Sequence, residues 1–317
     1  MWLAYLWLAA LTRSTWLQPQ LLLFGNCGRD DRIDKIDDMS QILEVKAMGG
    51  LANRMRAIAS AYALATDCGM GLKVIWYPLP ELNASFANLF KTDDLPFELL
   101  HCNGAEFWLK YSEPRRKNLF LSKIYQAFHY DLYLTDCNDS TIKCRDNKEA
   151  LVDAVKLAKH PIISSGLVFY EHQDGLYSKL FVPNDFVQSQ IDEITKRFDE
   201  NAVGVHIRRT DNKQSIMHSP LELFVEKMKR LIDENQNTTF YVASDDAETK
   251  RKLQSIFGDR IFLSDVKVDR NDRNAIIQAV AEMYALSKTR MIIGSYYSSF
   301  SEIAAKIGSV PVEQLYK

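Results

Sequence analysis

Between residues 202 and 307 the chain alternates short, β-branched runs with segments of helical period, and that alternation admits few architectures. Ala202-Val203-Gly204-Val205-His206-Ile207, Thr239-Phe240-Tyr241-Val242-Ala243, Ile261-Phe262-Leu263 and Met291-Ile292-Ile293 read as strands. Helices are predicted over 185–198, 220–232, 248–256, 274–286 and 300–307, the first capped by Asn184 or Asp185 and the second opened by Ser219-Pro220. The strands are continuous apolar runs rather than alternating ones, the pattern of a parallel sheet covered on both faces. Right-handed crossovers then bring successive strand ends to one edge of the sheet, where open α/β sheets bind ligands.

The first half starts the same way. A strand from Ile42 leads into Met48-Gly49-Gly50-Leu51-Ala52-Asn53-Arg54, after which Met55, Ile58, Ala59, Tyr62, Ala63 and Ala65 recur at helical spacing before a second strand over 72–76. Glycines at this junction let main-chain N–H groups approach an anion or a sugar closely, although the same pair also serves as plain turn chemistry. Residues 78–146 carry Pro80, Pro96, Pro114 and the cluster Arg115-Arg116-Lys117, and read as loops and short helices. Such a cluster is a solvated surface in the plain reading; the aromatic and basic stretch 107–128 is also a candidate acceptor face. Residues 161–166 resemble another strand end, and a crossover is expected over 170–185. We therefore expect two Rossmann-like domains, 39–178 and 179–317, with a cleft between them.

Composition bounds the function. The 317 residues are one-quarter charged with a net charge of −2, which argues against a general binder of nucleic acid or of anionic membranes. Cys27, Cys68, Cys102, Cys137 and Cys144 are odd in number and contain no Cys-x-x-Cys pair, the usage of reduced thiols, with a Cys137–Cys144 bridge left open. No metal-ligand spacing occurs among them. Residues 1–24 are rich in Trp, Leu and Ala but are broken by Arg13, Ser14, Gln18, Pro19 and Gln20, so no run reaches the ~20 apolar residues of a membrane span. The basic start of a secretory signal is also missing. We expect translation to begin at Met39, residues 1–38 to be a non-domain extension and the protein to be cytoplasmic; the alternative is a membrane anchor through residues 1–24.

Three strand ends of the second half carry unusual polar sets: His206, Arg208, Arg209 and Asp211; Ser244, Asp245 and Asp246; Ser295, Ser298 and Ser299. Two adjacent guanidinium groups cannot both be buried unpaired and require carboxylates or phosphates. Together the sets supply cations for phosphate charge, serines and loop N–H groups for phosphate oxygens, and a carboxylate able to accept from a guanine-like edge, which describes a diphosphonucleotide pocket. The plain readings are an Arg209–Asp211 ion pair at a strand end, and helix capping by Ser244 and Asp246.

His206-Ile207-Arg208-Arg209-Thr210-Asp211 resembles the His-x-Arg-Arg-x-Asp motif of the fucosyltransferase superfamily that includes α1,6-, α1,2- and protein O-fucosyltransferases and the nodulation-factor enzymes. Tyr241-Val242-Ala243-Ser244-Asp245-Asp246 is similar to that family's second motif, Tyr296-Tyr297-Ser298-Ser299-Phe300 to its third, and Gly49-Gly50-Leu51-Ala52-Asn53-Arg54 to its Gly-rich opening. The resemblance implies a GT-B-type pair of Rossmann-like domains and an inverting glycosyltransferase with GDP-fucose as donor and neither metal nor cofactor. It implies that Arg208 is the catalytic cation on the β-phosphate and that Arg209 and Asp211 shape the loop. His206 would lie against the nucleotide, Asp245 would read the guanine edge, and Ser298 and Ser299 would hold phosphate oxygens. Gly49, Gly50, Asn53 and Arg54 complete the implied donor site. The implied partners are a GDP-sugar and a glycan or lipid-linked sugar acceptor. Residues 212–217 contain no carboxylate where α1,6-type enzymes place a base, and Asn212 stands where they tend to have lysine. The base is thus unassigned, Glu222 and His218 being guesses, and a non-catalytic GDP-sugar or glycan binding module of the same fold is the rival reading.

Overall fold

The computed structural model describes residues 41–113, 116, 119–136, 147–210, 213–264 and 273–317. Its first sheet is built from β1 (Ile42–Ala47), α1 (Leu51–Cys68), β2 (Gly71–Ile75), β3 (Glu98–Leu99), α2 (Gly104–Lys110), α3 (Leu121–His129), β4 (Leu132–Thr135), α4 (Lys148–Leu157) and β5 (Pro161–Ser165). The five strands run parallel in the order β3-β2-β1-β5-β4. The chain then crosses through α5 (Leu176–Leu180) and α6 (Asp185–Thr195), the latter capped by Asn184, whose side chain accepts from Val187 N.

The second sheet follows through β6 (Ala202–Ile207), α7 (Lys213–His218), α8 (Leu221–Glu234), β7 (Thr239–Ser244), α9 (Ala247–Phe257), β8 (Ile261–Leu263), α10 (Arg273–Leu286), β9 (Ile292–Ser295), α11 (Ser299–Gly308) and β10 (Val312–Leu315). Its strands are again all parallel, in the order β10-β9-β6-β7-β8. The central strand β6 is buried along its whole length because helices cover both faces. Val203, Val205, Ile207, Phe240 and Val242 pack with Phe224, Met228 and Leu231 of α8 and Leu253 of α9. Tyr241, Ala243 and Ile292 face the other way, toward α10 and α11, in an apolar cluster that continues without a break into β1 and α1. The described residues from β1 to β10 thus form one compact unit holding two Rossmann-like lobes, the expected GT-B-type layout.

Two helices, α4 and α7, were not among the expected elements, and the strands that differ lie at sheet edges. β3, β4 and β10 were not anticipated; they border their sheets, and the exposed Val312 and Glu313 of β10 lack the apolar run that marks a central strand. Two central strands extend further than their apolar runs, so Ser244 and Ser295 are the buried last residues of β7 and β9. Cys68 and Cys102 are free thiols, while Cys27, Cys137, Cys144 and the whole of residues 1–40 fall outside the described residues. Among the described residues no helix is long and apolar enough to cross a membrane.

Candidate functional site

Strand order reverses between β1 and β5 in the first sheet and between β6 and β9 in the second, and a crevice opens at such points beyond the strand C-termini. Both points border a single cavity of about 920 Å³. Gly50, Asn53, Arg56, Glu81 and Leu167 line it from the first lobe, and Arg208, Lys213, Tyr297, Ser298, Ser299 and Glu302 from the second.

The first-lobe wall is set by the Gly-Gly turn. Gly49 has φ +78°, a left-handed conformation that side chains rarely adopt, and a Cβ there would stand 2.9 Å from Asn53 Nδ2. Gly50 is the N-cap of α1 and offers no side-chain acceptor to the first-turn N–H groups, and the first turn holds no acidic residue. That helix end borders the cavity without a side-chain cap. Arg54 turns away from the cavity into the lobe: Nε donates to Gly49 O at 2.9 Å and Nη1 to Tyr77 O at 2.8 Å, with the guanidinium 5.0 Å from the Trp76 ring centre. Its complete burial lowers its pKa to about 10, the nearby Glu81 carboxylate acting in the opposite sense. Arg54 therefore ties the Gly-Gly turn to the segment after β2 instead of facing a ligand.

The second-lobe wall is set by three strand ends. His206 is buried at the end of β6, stacked on Phe300 at 4.7 Å with Ser298 Oγ 3.3 Å from its Nδ1. Burial first, then the charge of Arg208, pushes its pKa down to about 3, so the ring is neutral. Arg208 N donates to Ser295 Oγ at 3.0 Å, which pins the loop across the β6/β9 reversal, and its side chain reaches the cavity. Asp245 serves the same loop from β7: Oδ1 accepts from Arg209 N at 2.7 Å, Oδ2 from Thr210 Oγ1 at 2.7 Å, and Arg208 Nε lies 3.3 Å from Oδ2. Asp246 is the N-cap of α9 and accepts from Glu248 N and Thr249 N. Arg209 is drawn inward, its pKa lowered by burial and raised by nearby Glu222, Asp246 and Asp245. Asp211 lies outside the described residues.

At the end of β9 a Cβ on Gly294 would meet Ser301 Oγ at 2.5 Å, so glycine allows α11 to sit directly against the strand. The N-cap of α11, Ser298, gives no side-chain bond to the helix, leaving this second helix end open to the same cavity. Ser299 Oγ donates to Asn53 Oδ1 at 3.4 Å, and Arg56 Nη2 donates to the same oxygen at 2.6 Å, a link between the lobes at the cavity wall. Tyr297 adopts φ +57°, a strained conformation for an aromatic residue, at the cavity rim.

Of the residues singled out in the sequence, Gly50, Asn53, Arg208, Ser298 and Ser299 meet at the cavity, whereas Gly49, Arg54, His206, Arg209 and Asp245 stand behind its walls. His218 and Glu222 are elsewhere: His218 Nδ1 lies 3.1 Å from Lys317 O, and Glu222 borders a separate groove. Sequence reasoning missed Arg56, Lys213 and Glu81. Arg56 follows Asn53 by three residues, the spacing that shares a helix face, and was detectable on that ground.

No protein-family model matches the chain, and no curated protein matches it in sequence. Solved structures do match in shape. The NodZ α-1,6-fucosyltransferase soaked with GDP-fucose superposes with TM-score 0.60 at 16% identity, over 87% of this chain and 94% of that one. Fucosyltransferase NodZ from Bradyrhizobium gives 0.58 at 14% identity, over 87% and 96%. Arabidopsis thaliana FUT1, as an arginine-to-lysine mutant in complex with GDP, gives 0.58 at 15% identity, over 89% and 73%. At such identities the likeness speaks for architecture, and the chain has the two-lobed α/β fold that these structures share.

Proposed function

We propose that the protein transfers fucose from GDP-fucose to a hydroxyl of a glycan or glycoconjugate. The observation that carries the reading is convergence: Arg56, Arg208, Lys213 and the open N-termini of α1 and α11 all border one cavity. Such an assembly of guanidinium, ammonium and helix N-termini without side-chain caps favours a doubly charged diphosphate. The similarity in shape to structures holding GDP-fucose and GDP supports a guanine nucleotide as its carrier.

In this reading Arg208 faces the β-phosphate. Negative charge gathers on the departing diphosphate as the sugar bond breaks, and a preorganised guanidinium stabilises it without having to reorient. Ser295 and Asp245 act through Arg208 by fixing its loop from two strands. Ser298 and Ser299 present the N-terminus of α11 to phosphate oxygens, and His206 holds Ser298. The donor site so described needs no metal. We read Asp245 as the anchor of the arginine loop, since both oxygens already accept from it. Incubating the purified chain with GDP-fucose and EDTA, and measuring GDP release with and without a glycan panel, tests the function. Release that persists in EDTA is expected; a strict requirement for Mn²⁺, or no binding of GDP at all, would count against it.

A further inference from the structure

We infer that Glu81 is the general base that takes the proton of the attacking acceptor hydroxyl, an inference that rests on the donor-site reading above. An inverting displacement places the attacking oxygen on the side of the sugar carbon opposite the leaving diphosphate, so the base belongs on the wall facing Arg208. Among the described residues two carboxylates line the cavity, Glu81 and Glu302. Glu302 sits in the first turn of α11, on the lobe of Arg208, and Oε1 accepts from Gln314 Nε2 at 2.7 Å. Glu302 therefore stands on the leaving-group side of the cavity and is already engaged by a side chain.

Glu81 differs in its lobe and in its hydrogen bonding. It belongs to the first lobe, and its side chain makes no hydrogen bond among the described residues. It is presented on a tight turn: Leu79 N donates to Leu82 O at 3.1 Å and Leu82 N to Leu79 O at 2.8 Å, with Pro80 fixing the backbone before it. Trp76 Nε1 donates to Ala84 O at 2.9 Å, and Arg54 Nη1 holds Tyr77 O, so both flanks of the turn are fastened to the lobe. The turn lies over the open end of α1, the Glu81 carbonyl being 3.9 Å from the place a Gly50 Cβ would take. Glu81 is exposed at the cavity wall on a turn whose backbone is held at both flanks, which gives a base access from a fixed origin.

The step balances as follows. The acceptor oxygen forms a bond to the anomeric carbon, the bond from that carbon to the β-phosphate oxygen breaks with its electron pair leaving on GDP, and the hydroxyl proton passes to a Glu81 oxygen. Water serves as a probe acceptor. Azide serves as a second, because it is already an anion and needs no base.

The test measures GDP release from GDP-fucose by wild type, Glu81→Gln, Glu81→Ala and Glu302→Gln, together with GDP affinity by calorimetry. Glu81→Gln is expected to keep its GDP affinity within about twofold while hydrolysis falls by about 10²-fold, the usual size of a lost base. In Glu81→Ala, azide should restore GDP release and yield fucosyl azide. Hydrolysis by Glu81→Gln within about threefold of wild type would overturn the assignment, as would failure of azide rescue or the same drop and rescue in Glu302→Gln. Wild type that binds GDP-fucose without releasing GDP would also remove the base and leave the donor site standing. Absence of GDP binding would instead remove the donor site itself.

Discussion

The turns after β7 and β9 start alike, each from a buried serine at the end of a central strand, and they finish in opposite states. After β7, Asp246 closes the N-terminus of α9 with its own carboxylate and Asp245 is committed to the neighbouring arginine loop. After β9, Ser298 leaves the N-terminus of α11 uncapped and facing the cavity. One turn caps its helix with its own carboxylate, and the other leaves its helix without a side-chain cap although Glu302 stands in the first turn. The difference between a structural turn and a binding turn in this chain is therefore whether the first N–H groups are already taken by a side chain.

The largest expected effect comes from making the binding turn resemble the structural one. Ser299→Asp places a carboxylate at the open end of α11, where it stabilises the helix and repels a diphosphate. GDP affinity measured by calorimetry should fall at least tenfold, while thermal stability holds or rises. Unchanged affinity would mean that the diphosphate does not reach α11.

The next effect separates the two aspartates of the β7 turn. Asp245→Ala frees the arginine loop and should weaken GDP, UDP and ADP together, by about tenfold from one lost charge-assisted contact. Loss of guanine preference alone, with UDP and ADP unchanged, would instead make Asp245 a reader of the base edge.

His206 gives a pH-dependent version of the comparison, because burial behind Ser298 and the charge of Arg208 disfavour its protonated ring. Its pKa is about 3 in the folded chain and ~6.5 in the unfolded one, so below pH 6.5 the unfolded state binds a proton that the native ring refuses. This contribution to stability is intact above pH 6.5 and is lost as pH falls toward 3, at up to about 1.4 kcal/mol per unit. Urea unfolding at pH 7 and pH 5 should show a smaller loss for His206→Asn than for wild type. Equal losses would mean that the ring is protonated in the native state.

The smallest effect is the loss of a cap. Asp246→Ala removes the acceptor for two N–H groups of α9 and should cost about 1 kcal/mol of stability, with GDP affinity within about twofold of wild type. A larger change in affinity than in stability would place Asp246 at the ligand.

Much of this arrangement was legible before the structure. Central parallel strands declare themselves as apolar runs, so β6, β7, β8 and β9 and the convergence of their ends followed from Val203, Val205, Ile207, Phe240 and Ile292. Edge strands carry half-exposed, mixed sequences, and β10 with Val312-Glu313-Gln314-Leu315 offered no such run. Side-chain direction was harder. Asp245 and Asp246 are adjacent carboxylates of like chemistry, and which faces a loop and which a helix depends on where α9 and the Arg208 loop approach. Arg54 reads as a ligand-binding cation beside two glycines, yet Trp76 and the Tyr77 carbonyl draw it inward, contacts made with residues more than 20 positions away. Glu81 could not be placed because its region has no period, and only the fold brings that turn over Gly50.

The central claim is that Arg208, presented at the β6/β9 reversal, holds a diphosphate, and calorimetric titration of GDP and guanosine into wild type and Arg208→Ala tests it most directly. Wild type should bind GDP at least tenfold more tightly than guanosine, and folded Arg208→Ala should lose about 1.5–3 kcal/mol of the GDP binding energy with guanosine little changed. A folded Arg208→Ala protein that binds GDP as tightly as wild type would contradict the account.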